Sequence, residues 1–248
     1  MARGKIRIGI GGWTFPPWRG TFYPPDLPQK RELDYASRQF GALEINATFY
    51  GRQSPKSWQS WANSVPDGFQ FAVKGSRYCV TRPKLADAAE GVGVYFGQGL
   101  TALGDKLGPV LWMLAARRQF DPDDIGGFLD ILPREVDGIR LRHVIEPRHE
   151  SFRDERFYAL CRKRDVAVVF GDDEDFPCID ADTASFAYAR LQCMKEDIAT
   201  GYTERRLDEF AKRVDRWADE GRDAYVFMIN GAKVRAPAAA LALQERLR

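Results

Sequence analysis

Hydrophobic and polar positions along the chain fall into short apolar or alternating runs, separated by longer amphipathic ones. The β-rich runs cover residues 6–12, 42–48, 69–76, 109–114, 138–146, 166–172, 186–192 and 223–230. Several are continuous in apolar residues, as in Val166-Ala-Val-Val-Phe170, the pattern of parallel strands whose outer face is covered. Helical spacing occupies the intervals 33–40, 54–63, 123–132, 154–164, 203–219 and 237–247. In 203–219, Leu207, Phe210, Val214 and Trp217 form one stripe, and Thr203 is placed to cap the N-terminus. Two intervals differ. Residues 173–185 are acidic with a single proline and predict a crossover without a proper helix; residues 80–106 are glycine-rich and predict loops with one short helix.

Eight strands alternating with helices predict the α/β class and, within it, a single (β/α)8 TIM-like barrel over residues 1–248. The barrel is expected to be somewhat irregular, with a helix-poor crossover between strands six and seven. An open doubly wound sheet is the alternative arrangement of the same elements.

Composition narrows the partners more than the fold. The chain has 248 residues, 44% hydrophobic and 29% charged, with a net charge of +2. That length suits one barrel domain. The near-neutral balance gives no global argument for nucleic acid or membrane, so any cationic character is local. No apolar run approaches the ~18 residues of a membrane span. The opening Met1-Ala-Arg-Gly-Lys-Ile-Arg7 has no signal-peptide apolar region. Cys79, Cys161, Cys178 and Cys193 are far apart with no CxxC pair, which predicts free, mostly buried thiols and a cytoplasmic location.

Cofactor and metal motifs are missing. Thr14 follows Gly9, Gly11 and Gly12 where GxGxxG needs glycine, and no phosphate-binding GxxxxGK[ST] or nucleophile-elbow GxSxG occurs. His143 and His149 are the only histidines and neither belongs to HExxH. No cofactor and no metal site is expected, although a carboxylate-bound Mg²⁺ stays open.

In such barrels function lies at the C-terminal strand ends. Those ends carry Trp13 on strand one; Glu44, Asn46 and Tyr50 on strand two; Lys74, Ser76 and Arg77 on strand three; and Glu146, Arg148 and His149 on strand five. Strands six to eight add Asp172, then Arg190 with Gln192, then Asn230. Alternation places Glu44 with Asn46, Lys74 with Ser76, and Arg190 with Gln192 on common faces, opposite apolar Leu43, Ile45, Val73 and Leu191. The polar set is therefore expected inside. Buried charges need partners, so one reading is a structural network in which Glu44 and Glu146 neutralise Lys74 and Arg148. The other is a ligand site, because Arg77, Arg82 and Arg190 leave an excess of cations suited to a phosphate or carboxylate. In it Glu44, Glu146 and Lys74 are the catalytic candidates, and Trp13, Asn46, Tyr50, Arg77, Arg148, Asp172, Arg190 and Asn230 bind substrate. Glu44 or Glu146 would be the general base, and Lys74 a Schiff-base or general-base lysine or a paired structural one. His149 is a further acid–base candidate.

Several segments resemble the DUF72 (YecE-like) proteins: Gly11-Gly-Trp-Thr-Phe-Pro-Pro-Trp-Arg-Gly-Thr-Phe-Tyr-Pro24, Glu44-Ile-Asn-Ala-Thr-Phe-Tyr50, Phe69-Gln-Phe-Ala-Val-Lys74 with Ser76-Arg-Tyr78, Leu107-Gly-Pro-Val-Leu111, Glu146-Pro-Arg-His-Glu-Ser-Phe152 and the terminal Asn230-Gly-Ala-Lys233. The resemblance runs in order over nearly the whole chain. It implies a TIM barrel and no established reaction, and marks Glu44, Asn46, Tyr50, Lys74, Glu146, Arg148 and Arg190 as family-motif positions. Two stretches depart from it. Arg190-Leu-Gln-Cys193 stands where the family usually has Arg-x-His-Gly, and Met113-Leu-Ala-Ala116 where it has Gln-Leu-Pro-Pro. Gln192 can replace a histidine's hydrogen bonding but not its proton transfer.

Three functions follow as expectations. The first is a hydrolase or lyase acting on a small phosphate- or carboxylate-bearing substrate. The second is a nucleic-acid-binding or repair-type barrel that stacks bases on Trp13, Phe15, Trp18 and Tyr50, which the net charge disfavours. The third is a non-catalytic binding module. No membrane partner is expected, and the sequence does not set an oligomeric state.

Overall fold

The computed structural model describes residues 2–248. Strand β1 (Ile6–Gly11) is followed by α1 (Glu32–Gln39), β2 (Ala42–Ile45), the single turn α2 (Ala47–Tyr50), α3 (Pro55–Ser64) and β3 (Gln70–Lys74). Next come α4 (Arg77–Val80), α5 (Ala89–Phe96), β4 (Leu107–Met113) and α6 (Pro122–Ile131). A short antiparallel hairpin of β5 (Glu135–Val136) and β6 (Ile139–Arg140) precedes β7 (His143–Glu146), and α7 (Glu155–Arg164) follows. The chain ends with β8 (Val166–Val168), β9 (Phe170–Asp172), β10 (Phe186–Leu191), α8 (Glu204–Asp219), β11 (Asp223–Met228) and α9 (Ala236–Arg246).

The helix starts follow local chemistry. Ser54 caps α3 ahead of Pro55, Asp121 accepts from the Asp123 and Asp124 amides ahead of Pro122, and Asp154 and Thr203 cap α7 and α8. The predicted stripe of α8 is buried at Leu207, Phe210, Val214 and Trp217.

All strands of the main sheet run parallel in the order β8-β7-β4-β3-β2-β1-β11-β10-β9. This is the expected barrel, with its sixth stave broken in two. β8 pairs with β7, and β9, one residue further on, pairs with β10. The sheet thus closes through residue 169, whose amide still donates to the Ile145 carbonyl at 3.0 Å. Below the break no ladder joins β8 to β10. The helix-less crossover after β9 fills that gap: buried Thr183 accepts from the Val168 amide at 3.1 Å and donates to the Val166 carbonyl at 2.8 Å. The fifth stave is also shorter than predicted, because the positive-φ pair Asp137-Gly138 turns the chain into a hairpin before β7 begins.

Residues inside the barrel and residues between sheet and helices form two separate apolar clusters. Ala42, Ala72, Leu111, Val144, Ala167, Val169, Tyr188, Tyr225 and Phe227 belong to the inner one, and Ile8, Ile10, Leu43, Val73, Ile145 and Leu191 to the outer. Gly9 is needed for closure, since a Cβ there would lie 1.9 Å from the Ala42 carbonyl oxygen. At the N-terminal end of the barrel, Arg142 donates to the Tyr225 hydroxyl, which donates to Gln70, while Arg7 pairs with Asp223 at 3.4 Å.

His143 is a structural residue on β7. Its Nδ1 accepts from Trp112 Nε1 at 3.2 Å, and its Nε2 faces the Pro133 carbonyl at 2.7 Å, which fixes the neutral tautomer protonated on Nε2. Burial pushes its pKa down to about 4. The unfolded chain therefore binds a proton that the folded chain does not between about pH 6.5 and 4. Stability falls as pH drops through that window, by on the order of 3 kcal/mol in all. His143→Gln, which keeps an acceptor and a donor, is expected to flatten that part of the profile in urea unfolding between pH 7 and 4. An unchanged slope in the variant would refute the assignment.

Candidate functional site

At the C-terminal mouth, the inward positions of β2, β7 and β10 bring Glu44, Glu146 and Arg190 together. Arg190 is 1% exposed and Glu44 fully buried. Arg190 grips Glu44 with two nitrogens, Nε to Oε2 and Nη2 to Oε1, each at 3.2 Å, and reaches Glu146 Oε2 with Nη1 at 2.6 Å. Tyr188, two residues back on the same face of β10, donates to Glu44 Oε2 at 2.8 Å. Arg148 donates to the remaining oxygen, Glu146 Oε1, at 3.1 Å from Nη2, and lies 4.4 Å over the ring of Phe176. Every oxygen of the two carboxylates is occupied. Burial pushes the Glu146 carboxyl upward, but Arg190, Arg148 and Lys74 outweigh it and hold the group below its ordinary range. This is the expected buried network with a different pairing: Arg190 and Arg148 neutralise the carboxylates.

Lys74 is left over. It is buried, at 7% exposure, and ends β3. Among the described residues it makes no ion pair. Its Nζ lies 4.6 Å from the centre of the Phe49 ring. Its carbonyl is held by the Thr48 hydroxyl at 2.6 Å and the Tyr95 hydroxyl at 3.3 Å. Burial first, and then the charge of Arg190, push the Lys74 pKa down to about 8 against the pull of Glu44 and Glu146.

Lys74 and Arg190 open into a cleft of about 500 Å³ between the ends of β1, β2 and β11. Its other walls include Trp13, Asn46, Tyr50, Asn230 and Lys233, and no carboxylate. Trp13 is braced edge-on by Trp61 at 5.4 Å and by Tyr23, whose hydroxyl donates to the Trp13 carbonyl at 2.6 Å. Tyr50, 68% exposed, stands on the rim. Asn230 takes a left-handed backbone (φ 56°) and donates to Gln192 at 3.0 Å. Lys233 lies against the rings of Phe15 and Trp18, at 4.8 and 5.6 Å, and burial lowers its pKa.

Trp13, Asn46, Tyr50, Lys74, Arg190 and Asn230 are thus collected in one place as anticipated. Glu44, Glu146 and Arg148 are not among the cleft-lining residues; they pack into the network. Arg77 and Asp172 are corrected. Arg77 is exposed on α4, because Gly75 ends the strand and the chain turns into a helix before it. Asp172 points away from the barrel axis, where Arg206 at 2.6 Å and the Tyr202 hydroxyl at 2.9 Å bind its carboxylate to the α8 side. Arg82 stacks on Tyr78 instead of joining the cleft. His149 caps a short turn, accepting from the Ser151 amide at 3.1 Å. The four cysteines are free, with Cys178 exposed rather than buried. Lys233, also in the cleft, is outside the reach of the strand pattern: it follows the last strand, where no periodicity applies, and its one signal is its place in the terminal Asn-Gly-Ala-Lys motif.

No three or more His, Cys, Asp or Glu side chains among the described residues are grouped to hold a metal ion, and no helix there is long and apolar enough to cross a membrane. The family model described as a protein of unknown function, DUF72, matches residues 7–248. A DUF72 family protein of Thermotoga maritima MSB8 superposes with a TM-score of 0.80 at 21% identity, covering 98% of this chain and 99% of that one. One from Enterococcus faecalis V583 gives 0.76 at 16% identity, over 99% and 98%. The UPF0759 protein YunF of Bacillus subtilis (strain 168) is 33% identical over 69 residues, which are 28% of this chain. That match spans 23% of YunF.

Proposed function

The chain belongs to the DUF72 family of proteins of unknown function, and on that premise we propose that its barrel mouth binds a small phosphate- or carboxylate-bearing ligand, held by Lys74 and Lys233. The observation that carries this reading is the lining itself: Lys74, Arg190 and Lys233 face the cleft and no carboxylate does. Arg190 is committed to Glu44 and Glu146, so the two lysines supply the uncompensated charge. A partly desolvated cation binds an anion more strongly than one in bulk water, because the effective dielectric is lower. Asn46 and Asn230 add amides that can donate to ligand oxygens, and Trp13 and Tyr50 offer faces for its apolar part.

In this reading Glu44 and Glu146 are positioning residues. Their oxygens all accept hydrogen bonds within the network and neither residue lines the cleft, so acid–base work falls to Lys74, which does. A hydrolase or lyase of the ligand is the activity class this favours. Trp13 makes binding visible. Inorganic phosphate added at low ionic strength is expected to change tryptophan fluorescence saturably, while chloride at matched ionic strength does not. A response identical for the two salts would remove the reading.

A further inference from the structure

We propose that Lys74 is a nucleophile that condenses with a carbonyl-bearing anion in the cleft to form an imine. The proposal deepens the anion-cleft reading and rests on it. Four features converge on Nζ. It stands at a strand end, with its carbonyl fixed by Thr48 and Tyr95. It faces an open cleft of about 500 Å³. All four carboxylate oxygens around it are already taken by Arg190, Arg148 and Tyr188, so no counter-ion pins its proton. The Phe49 ring, 4.6 Å from Nζ, attracts the charged form through its face but supplies no anionic partner that would hold the proton in place. A lysine kept desolvated beside other cations is the general recipe for an amine reactive near neutrality. The downward shift to about 8 agrees, and raises the unprotonated fraction near pH 7.5 on the order of a hundredfold over an ordinary lysine.

The step balances without a co-reactant. The ammonium first releases a proton. The amine lone pair then attacks the carbonyl carbon, and the carbonyl π pair moves to oxygen and is protonated. A further proton moves from nitrogen to that hydroxyl, which leaves as water while nitrogen forms the C=N bond. The sum is lysinium plus carbonyl giving protonated imine plus water, with no net proton. The positive charge stays at Nζ, so the surroundings that accommodate Lys74 also accommodate the product. Lys233, on the β11 side of the same cleft, holds the ligand's anionic group. A 2-oxo acid and a phosphorylated aldehyde or ketone share this chemistry.

Glyoxylate with cyanoborohydride at pH 7.5 traps such an imine as a secondary amine that peptide mass mapping can place, with acetaldehyde as the uncharged control. With glyoxylate, Lys74 is expected to be labelled at least tenfold faster than exposed Lys30, Lys56 or Lys84, with the preference shrinking for acetaldehyde and on adding phosphate. Labelling that simply follows exposure and spares Lys74, in protein whose fluorescence still responds to phosphate, would overturn the nucleophile while leaving the anion cleft standing. Selective labelling without a phosphate response would support the nucleophile and overturn the anion site. Loss of both would overturn both.

Discussion

Replacing Arg190 with methionine is expected to lower the thermal midpoint by on the order of 10 °C, the largest stability effect available at the barrel mouth. The guanidinium is 1% exposed and makes three hydrogen bonds to two buried carboxylates. Removing it strands Glu44 altogether, apart from the Tyr188 hydroxyl, and leaves Glu146 with Arg148. Breaking a buried ion pair from one side costs about 3–5 kcal/mol, because the orphaned charge stays desolvated. For a chain of this size each kcal/mol moves the midpoint by roughly 2–4 °C. The double variant Arg190→Met/Glu44→Gln is expected to recover part of the loss, since a neutral amide is cheaper to bury. Calorimetric scans of the three proteins check this; a single variant within about 2 °C of wild type would show that the network contributes little. Arg190→Ala is consequently a poor probe of ligand binding, because in this barrel the residue supports the fold.

The barrel and its inward polar faces were legible because most staves alternate. On β2, β3 and β10 the alternation separates Glu44, Lys74 and Arg190 from Leu43, Val73 and Leu191, and the structure keeps that division. Where the alternation fails, the pattern is silent on which side faces the axis. Val166-Ala-Val-Val-Phe170 is apolar throughout, so nothing in it reports which residues face inward. The pattern therefore carries no sign of the break at residue 169 and puts Asp172 on the wrong side. Residues just past a strand end obey turn geometry rather than the period of two. That misplaced Arg77 and hid Lys233. The pairing of charges was beyond the sequence for a different reason. Strand ends name Lys74, Arg148 and Arg190 beside Glu44 and Glu146, but only distances show that both carboxylates go to arginines and Lys74 goes unpaired.

That unpaired lysine carries the second prediction. Lys74→Met is expected to weaken phosphate binding at least tenfold while leaving the thermal midpoint unchanged or higher. A charge-assisted contact is worth about 1.5–3 kcal/mol, and 1.4 kcal/mol is a factor of ten in affinity. Stability moves the other way because the Lys74 pKa drops to about 8 on folding. The unfolded chain then binds more protons between about pH 8 and 10.5, so stability rises with pH through that window. At neutral pH the buried charge is a net penalty of up to roughly 3 kcal/mol. Methionine removes the charge and keeps the apolar stem, and the two arginines and two glutamates beneath it remain balanced. A substitution that abolishes binding without destabilising the fold marks a residue kept for its ligand.

Isothermal titration of inorganic phosphate at pH 7 and low ionic strength, run on wild type and Lys74→Met side by side, tests this most directly. The account predicts one saturable site per wild-type chain, at least tenfold weaker or absent in a variant that unfolds no earlier. Equal affinity in the two proteins, or no binding by wild type, would contradict it.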